Sequence, residues 1–427
     1  MPRLPRPLVL ALLLAGCAPA APPGAPASGI PDAAALAREL GELHGRHRVE
    51  AIASRRFTHR ELWDALGPLV DGAAGMRREE VGRSAEGRPI HAVRYGAGPT
   101  RVLLWSQMHG NESTATMALA DVLRFLAEEP EHPLARRLAE RLTVVAVPML
   151  NPDGAERFQR RNALGIDVNR DARALATPEG RALRELQRTL RPDFGFNLHD
   201  QDVRARVGAS DDRLAAIALL APPFDAARSH NPVRDRARRV AAVVRGAVEP
   251  LVAGHVTRYD DSYNPRAFGD GMQRWGTSTV LIESGGWRGD PEKQYLRRVN
   301  FVALLAALDA IATGAFAAAD PAAYESLPAN GRPVNDLLVR GGSVVLPGIP
   351  PYRADLAVDY ADAPARTGGR LVDAGDLAEA AARDTIDAAG LFVHPAPEML
   401  PADTAGGAEP DSEAVWTVEG GAARRAH

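Results

Sequence analysis

Four apolar runs of strand length end abruptly in polar residues that can do chemistry. Val102–Trp105 runs out to His109-Gly110-Asn111-Glu112, and Thr143–Val147 to Asn151-Pro152-Asp153-Gly154. Phe194–Leu198 leads directly into His199-Asp200, and Val280–Ile282 into Glu283-Ser284-Gly285-Gly286. Sites in open α/β sheets form just beyond the carboxyl ends of the strands, so two histidines and two glutamates should converge on one rim. A lone histidine after a strand is more often structural than a ligand; four such residues at the ends of these strands favour a site. Two histidines and one carboxylate hold a catalytic zinc while leaving a position open for water. His109 and Glu112, three residues apart across a turn, and His199 from another strand are the candidate ligands. The chain has one cysteine, which excludes a Cys-based zinc site. Zinc lowers the pKa of its water towards about 7, and a separate carboxylate must then take the proton. Glu283 is the candidate base.

Attack on a carbonyl builds an oxyanion, which needs positive charge beside it. The segment Gln159-Arg160-Arg161-Asn162, followed by Gly165 to Asp171 (GIDVNRD), is dense in arginine and asparagine. Arginine grips a carboxylate with two parallel hydrogen bonds. One arginine for the oxyanion and one for a substrate carboxylate is an economical division. On its own, the stretch would read as a solvated charged loop. Other chemistries lack their signatures. No Gly-x-Ser-x-Gly elbow, phosphate loop, dinucleotide fingerprint or His-Glu-x-x-His occurs.

The elements that must position these residues follow from periodicity. Pro31 to about Val70 reads as helical, with capping-box spacing at Thr58 and Glu61. Gly82–Tyr95 reads as a hairpin. The four buried runs alternate with helices over Ala115–Ala127, Leu134–Arg141, Glu179–Leu190, Asp235–Val248 and Tyr295–Ala312. This predicts an α/β fold: an open, mostly parallel mixed sheet flanked by helices. That catalytic domain is expected over 31–319. From Asp320 the chain becomes short strand-like pieces broken by Gly and Pro (Leu337–Val339, Ser343–Leu346, Ala354–Val358, Arg370–Val372). A small β-rich accessory domain is expected over 320–427, frayed from Ala402.

Composition bounds the partners. Of 427 residues, 45% are apolar, 25% charged and 5% aromatic, and the formal charge is −3. These are globular values with no basic excess to suggest nucleic acid. Residues 1–17 carry two arginines, a short apolar run and Leu14-Ala15-Gly16-Cys17. The run fits a secretory signal peptide and is too short to span a bilayer. The tetrapeptide resembles the bacterial lipobox, which implies acylation of Cys17 and an N-terminal lipid anchor in the membrane. Ala18 after it suggests the outer membrane, with the protein extracytoplasmic or periplasmic. Residues 18–30 read as a Pro/Ala-rich tether.

HGNE, NPDG, RRN…GIDVNRD, NLHD and LIESGG, in this order, resemble the zinc metallocarboxypeptidase family (carboxypeptidase A-like) over roughly Arg77 to Ala312. The resemblance implies a carboxypeptidase-like fold and one Zn2+ per chain on His109, Glu112 and His199, with Glu283 as general base. It implies Arg160 as the oxyanion-stabilising residue and Asn169 with Arg170 as the holders of the substrate's terminal carboxylate. Asp153 and Asp167 would shape loops. The family's substrate-covering tyrosine matches Tyr259 or Tyr263, and Tyr263 is favoured. Asp270 lies near the specificity pocket, with Asp260, Asp261 and Arg266 nearby. The stretch from Glu112 to His199 is short for the family, which implies trimmed loops and an open cleft. The expected activity is removal of C-terminal residues from peptides. The alternatives are hydrolysis of cell-wall stem peptides or another amide, and a non-catalytic binding protein on the same fold.

Overall fold

The computed structural model describes residues 33–209, 213–400 and the backbone of 417–419. The expected signal peptide with Cys17, the 18–30 tether and nearly all of the stretch from Ala402 lie outside the described residues.

Two helices come first, α1 (Ala33–His47) and α2 (His59–Gly72). The continuous helical stretch expected from Pro31 is therefore broken between His47 and His59. Thr58 and Glu61 restart it with a capping box in which each side chain accepts from the other residue's backbone N–H. The expected hairpin follows as β1 (Met76–Arg83) and β2 (Pro89–Tyr95), then β3 (Thr100–Ser106), α3 (Thr114–Glu128), α4 (Pro133–Arg141) and β4 (Leu142–Val147). Next come α5 (Pro152–Glu156), α6 (Pro178–Leu190), β5 (Phe194–Asp200), β6 (Arg206–Val207), β7 (Ile217–Leu220) and α7 (Pro232–Val248). β8 (Val256–Arg258), α8 (Phe268–Arg274), β9 (Ser278–Ser284), α9 (Gln294–Thr313), α10 (Ala322–Glu325) and β10 (Asn330–Gly331) complete the larger body.

Eight of these strands form one mixed sheet in the order β1-β2-β4-β3-β5-β9-β7-β8. Its centre, β4-β3-β5-β9, is parallel. All four predicted buried runs therefore end on the same rim. The chain leaves β3 towards β4 on one side and later returns to pair β5 on the other, so the sheet's switch point lies at β3.

Alternation divides the sheet faces. Val102, Leu104, Phe196, Leu198, Val280 and Ile282 pack into the core built with α1, α3, α7 and α9. Leu103, Trp105, Val145 and Val147 face α6 and Phe268 of α8 on the other side. His199 and Glu283 fall on this second face, one residue past Leu198 and Ile282. They are register partners across the parallel β5–β9 pair, about 4.8 Å apart by strand spacing.

A second sheet contains β11 (Asn335–Leu346), β12 (Ile349–Asp362), β13 (Thr367–Gly375), β14 (Ala382–Asp387), β15 (Phe392–His394) and β16 (Thr417–Glu419). It has its own small core around Leu337, Val339, Leu356, Val358 and Val393. Tyr324 and Leu327, just ahead of it, pack into the large core instead. No helix among the described residues is long and apolar enough to cross a membrane.

The link between α1 and α2 is held from inside. Arg297 of α9 and Asp121 of α3 are both fully buried and form a bidentate pair. Arg297 also donates to the carbonyls of Val49 and Ile52, and Asp121 accepts from the Val49 N–H. Removing one partner strands a buried charge. Asp121→Ala is expected to cost about 3–5 kcal/mol, measured by urea unfolding; a loss under about 1 kcal/mol would contradict this role.

Candidate active site

The β3 exit is shaped before any ligand is placed. Gln107 adopts a left-handed backbone (φ 51°), and its side chain donates to the Gly110 carbonyl. Gly110 lies against the NPDG turn so closely that a Cβ there would sit 1.9 Å from the Gly154 carbonyl carbon. Asn151 accepts from the Gly154 N–H and donates to the Met108 carbonyl. Buried Asp153 accepts from Ser84, from the Glu86 N–H and from Arg88, which fastens the β1–β2 turn to the same place. NPDG is thus a brace for HGNE.

On this brace the three expected ligands meet. His109 Nδ1 lies 2.7 Å from Glu112 Oε1, and His199 Nδ1 lies 2.6 Å from Glu112 Oε2. All three are buried, and one donor atom from each lies within 4.8 Å of the others. Both imidazoles turn the same nitrogen to the shared centre. The other nitrogen of His109 is 2.9 Å from Asp167 Oδ1. Histidine ligands are held in this way, by a carboxylate on the far side of the ring, so the donor set fits a zinc ion.

Charge supports the same reading. Burial lowers the pKa of His109, but Glu112 and Asp167 outweigh it and push it up to about 9. Burial raises Glu112, yet the two histidines bring it well below the usual carboxylate range. His199 moves the other way: burial lowers its pKa despite the neighbouring Glu112. Burial raises Asp167 too, and is overcome by the His109 bond and the charges of His109 and Arg160.

Glu283 lies beside the trio without joining it. Its carboxylate makes no hydrogen bond to any described residue. Burial first, and the charge of Glu112 second, hold it well above the ordinary range. Behind it Asp200 accepts from Thr114 at 2.6 Å and from Lys293 at 3.2 Å. Arg160 is half exposed; it donates to Glu112 Oε1 at 3.0 Å and pairs with Asp167 at 3.0 Å. Asn169 accepts from the Phe268 N–H through its side-chain Oδ1, and its side-chain Nδ2 lies 3.4 Å from His199 Nε2. Arg170 donates to the Asn169 carbonyl.

His109, Glu112, Arg160, Asn169, Arg170 and Glu283 border one cleft of about 640 Å³, together with Asn197, Tyr259, Tyr263 and Asp270; His199 reaches it through its contact with Glu112. Burial pushes Asp270 up to about 6. Tyr263, the tyrosine favoured from sequence, is on the wall. Tyr259 is the one that feels Glu283: that charge, then burial, push its hydroxyl up to about 12.

Residues 74–188 match a family model described as zinc carboxypeptidase. The match covers His109, Glu112, Arg160, Asn169 and Arg170. His199 and Glu283 lie beyond it and reach the site through strand register. Carboxypeptidase 2 of Trichophyton rubrum is 31% identical over 225 residues, covering 47% of this chain and 41% of that protein. Carboxypeptidase D of Rattus norvegicus is 29% identical over 150 residues, covering 31% and 11%. The chain thus spans less than half the length of these relatives. Among solved structures, a metallo-carboxypeptidase from Burkholderia cenocepacia aligns with a TM-score of 0.49 at 20% identity, covering 60% of this chain and 70% of that one.

The resemblance implies only a loop-shaping role for Asp167, whereas it contacts both His109 and Arg160. Its place two residues before Asn169 was the available signal. Lys293, the one lysine of the chain, has no local pattern that would mark it as the partner of Asp200. Asp167→Asn is expected to weaken zinc binding by about 10- to 100-fold, read by competition with a coloured chelator. Unchanged affinity would remove Asp167 from the metal's support.

Proposed function

We propose that the protein is a zinc-dependent metallocarboxypeptidase with one zinc per chain on His109, Glu112 and His199. It hydrolyses the C-terminal peptide bond of peptides outside the cytoplasm. The observation that carries this reading is one cleft lined by His109, Glu112, Glu283, Asn169 and Arg170, with His199 meeting His109 and Glu112 at its edge. Bound zinc supplies an acidified water and polarises a carbonyl.

The chain's own groups do the rest. Glu283 accepts the water's proton and returns it to the leaving amine; burial raises its carboxyl, which favours its holding the proton between the two transfers. Arg160 brings positive charge to the carbonyl oxygen as it gains charge. Asn169 and Arg170 receive the terminal carboxylate, which fixes the scissile bond over the trio. Tyr259 stays protonated as a donor beside Glu283, and Tyr263 borders the bound residue. The Leu14–Cys17 tetrapeptide supports acylation at Cys17 and anchoring to the outer membrane.

A blocked peptide with a free C-terminal carboxylate should be cleaved, and its C-terminal amide should not. Chelation should abolish the activity and zinc restore it. Arg170→Ala should raise KM for the free acid roughly 10- to 100-fold, the loss of a charged hydrogen bond worth about 1.5–3 kcal/mol. Glu283→Gln should lower kcat by about 10²–10⁴ with zinc content unchanged by metal analysis. Equal cleavage of acid and amide would overturn the assignment of Asn169 and Arg170. Wild-type activity in Glu283→Gln would overturn that of the base.

A further inference from the structure

The cleft continues past the ligand trio into a second lobe of about 450 Å³. Glu112, Arg160, Asp200, Gln201 and Asp202 border both lobes, while Asn169, Arg170, Tyr259 and Tyr263 border only the first. A substrate with its carboxylate on Asn169 and Arg170 and its scissile carbonyl at the trio must send its remaining residues into the second lobe. This step rests on the function proposed above.

The far wall of that lobe does not come from the catalytic sheet. It is Tyr360–Pro364, where β12 ends and turns towards β13. The wall is fastened. Asp362 pairs with Arg55 through one oxygen and with Arg56 through the other, and the first oxygen also accepts from the Ala365 N–H at 3.1 Å. Both guanidinium groups lie over the ring of Phe158, 5.1 and 4.5 Å from its centre, and Phe158 lines the same lobe. The Arg55 carbonyl accepts from Ser113, the neighbour of Glu112, at 2.5 Å. A second tie joins Arg204, on the side of the lobe, to Asp359 at 2.8 Å. The hairpin end is thus linked through one intermediary to the loop that carries a zinc ligand.

We propose that Tyr360–Pro364 is a specificity wall of the active site. It bounds the space for residues N-terminal to the cleaved bond and restricts the enzyme to short peptides. A long chain must either displace the wall, breaking the Asp362 pairs, or bend sharply away from it.

The test is a series of blocked peptides sharing their two C-terminal residues and lengthening towards the N-terminus, assayed on the full chain. Wild type should lose roughly tenfold or more in kcat/KM from the shortest to the longest. Asp362→Ala, which frees both arginines, should shrink that ratio. Ala361→Trp, at an exposed position on the wall, should widen it, and it keeps the test informative if Asp362→Ala folds poorly. Equal kcat/KM at all lengths in wild type would overturn the wall, as would a ratio unmoved by either variant that folds. A protein that cleaves no peptide of any length would instead overturn the carboxypeptidase reading and, with it, this inference.

Discussion

A buried carboxylate clamped between two imidazoles is the constraint around which this molecule is organised. Taking Glu112 out of water costs several kcal/mol, and the chain offsets it with His109, His199 and Arg160 on every open side. Those partners come from three separate places: the β3 exit, the tip of β5 and the loop after α5. Holding them together demands the rest of the architecture. The β3 and β5 tips must be neighbours, which the crossover around β3 ensures. The loop must be pressed down onto the rim, which the close approach of Gly110 and Gly154 permits and Asn151 enforces.

Much of this was legible because the chemistry and the fold share one pattern. Runs such as Val102–Trp105 and Phe194–Leu198 are buried on both faces and read as parallel strands, and polar residues at their ends read as a rim. Period-two alternation then puts His199 and Glu283 on one face once β5 and β9 are paired. The sequence could not reveal that pairing, since adjacency between distant strands leaves no local trace. β7 was missed for a related reason. Ala215-Ala216-Ile217-Ala218-Leu219-Leu220 is an alanine-rich run equally suited to helix or strand, and only its antiparallel position beside β9 decides it. The break between α1 and α2 was hidden because the residues that hold it, Asp121 and Arg297, lie far along the chain.

The C-terminal sheet shows the other limit. Its separate strand pieces were readable from their flanking Gly and Pro, but they merge into longer strands than local pattern suggested. Leu337–Val339 and Ser343–Leu346 are one strand, β11, which carries a register shift between Val339 and Gly342. What composition could not indicate is that a turn of this sheet stands at the edge of the cleft. That placement depends on Asp362 meeting Arg55 and Arg56, three charged residues that are unremarkable as local sequence.

One consequence follows from the pair behind the rim. Lys293 is the only lysine in the chain; it is buried, with its amine on Asp200 and on the Ser284 carbonyl. Acylating reagents that seek primary amines therefore find no exposed side chain on the folded protein. A protease that cuts after lysine has a single bond to attack, at the start of α9, and it is protected while the rim is intact. Cutting at that one peptide bond would report the opening of the β9–α9 junction, without any label being introduced.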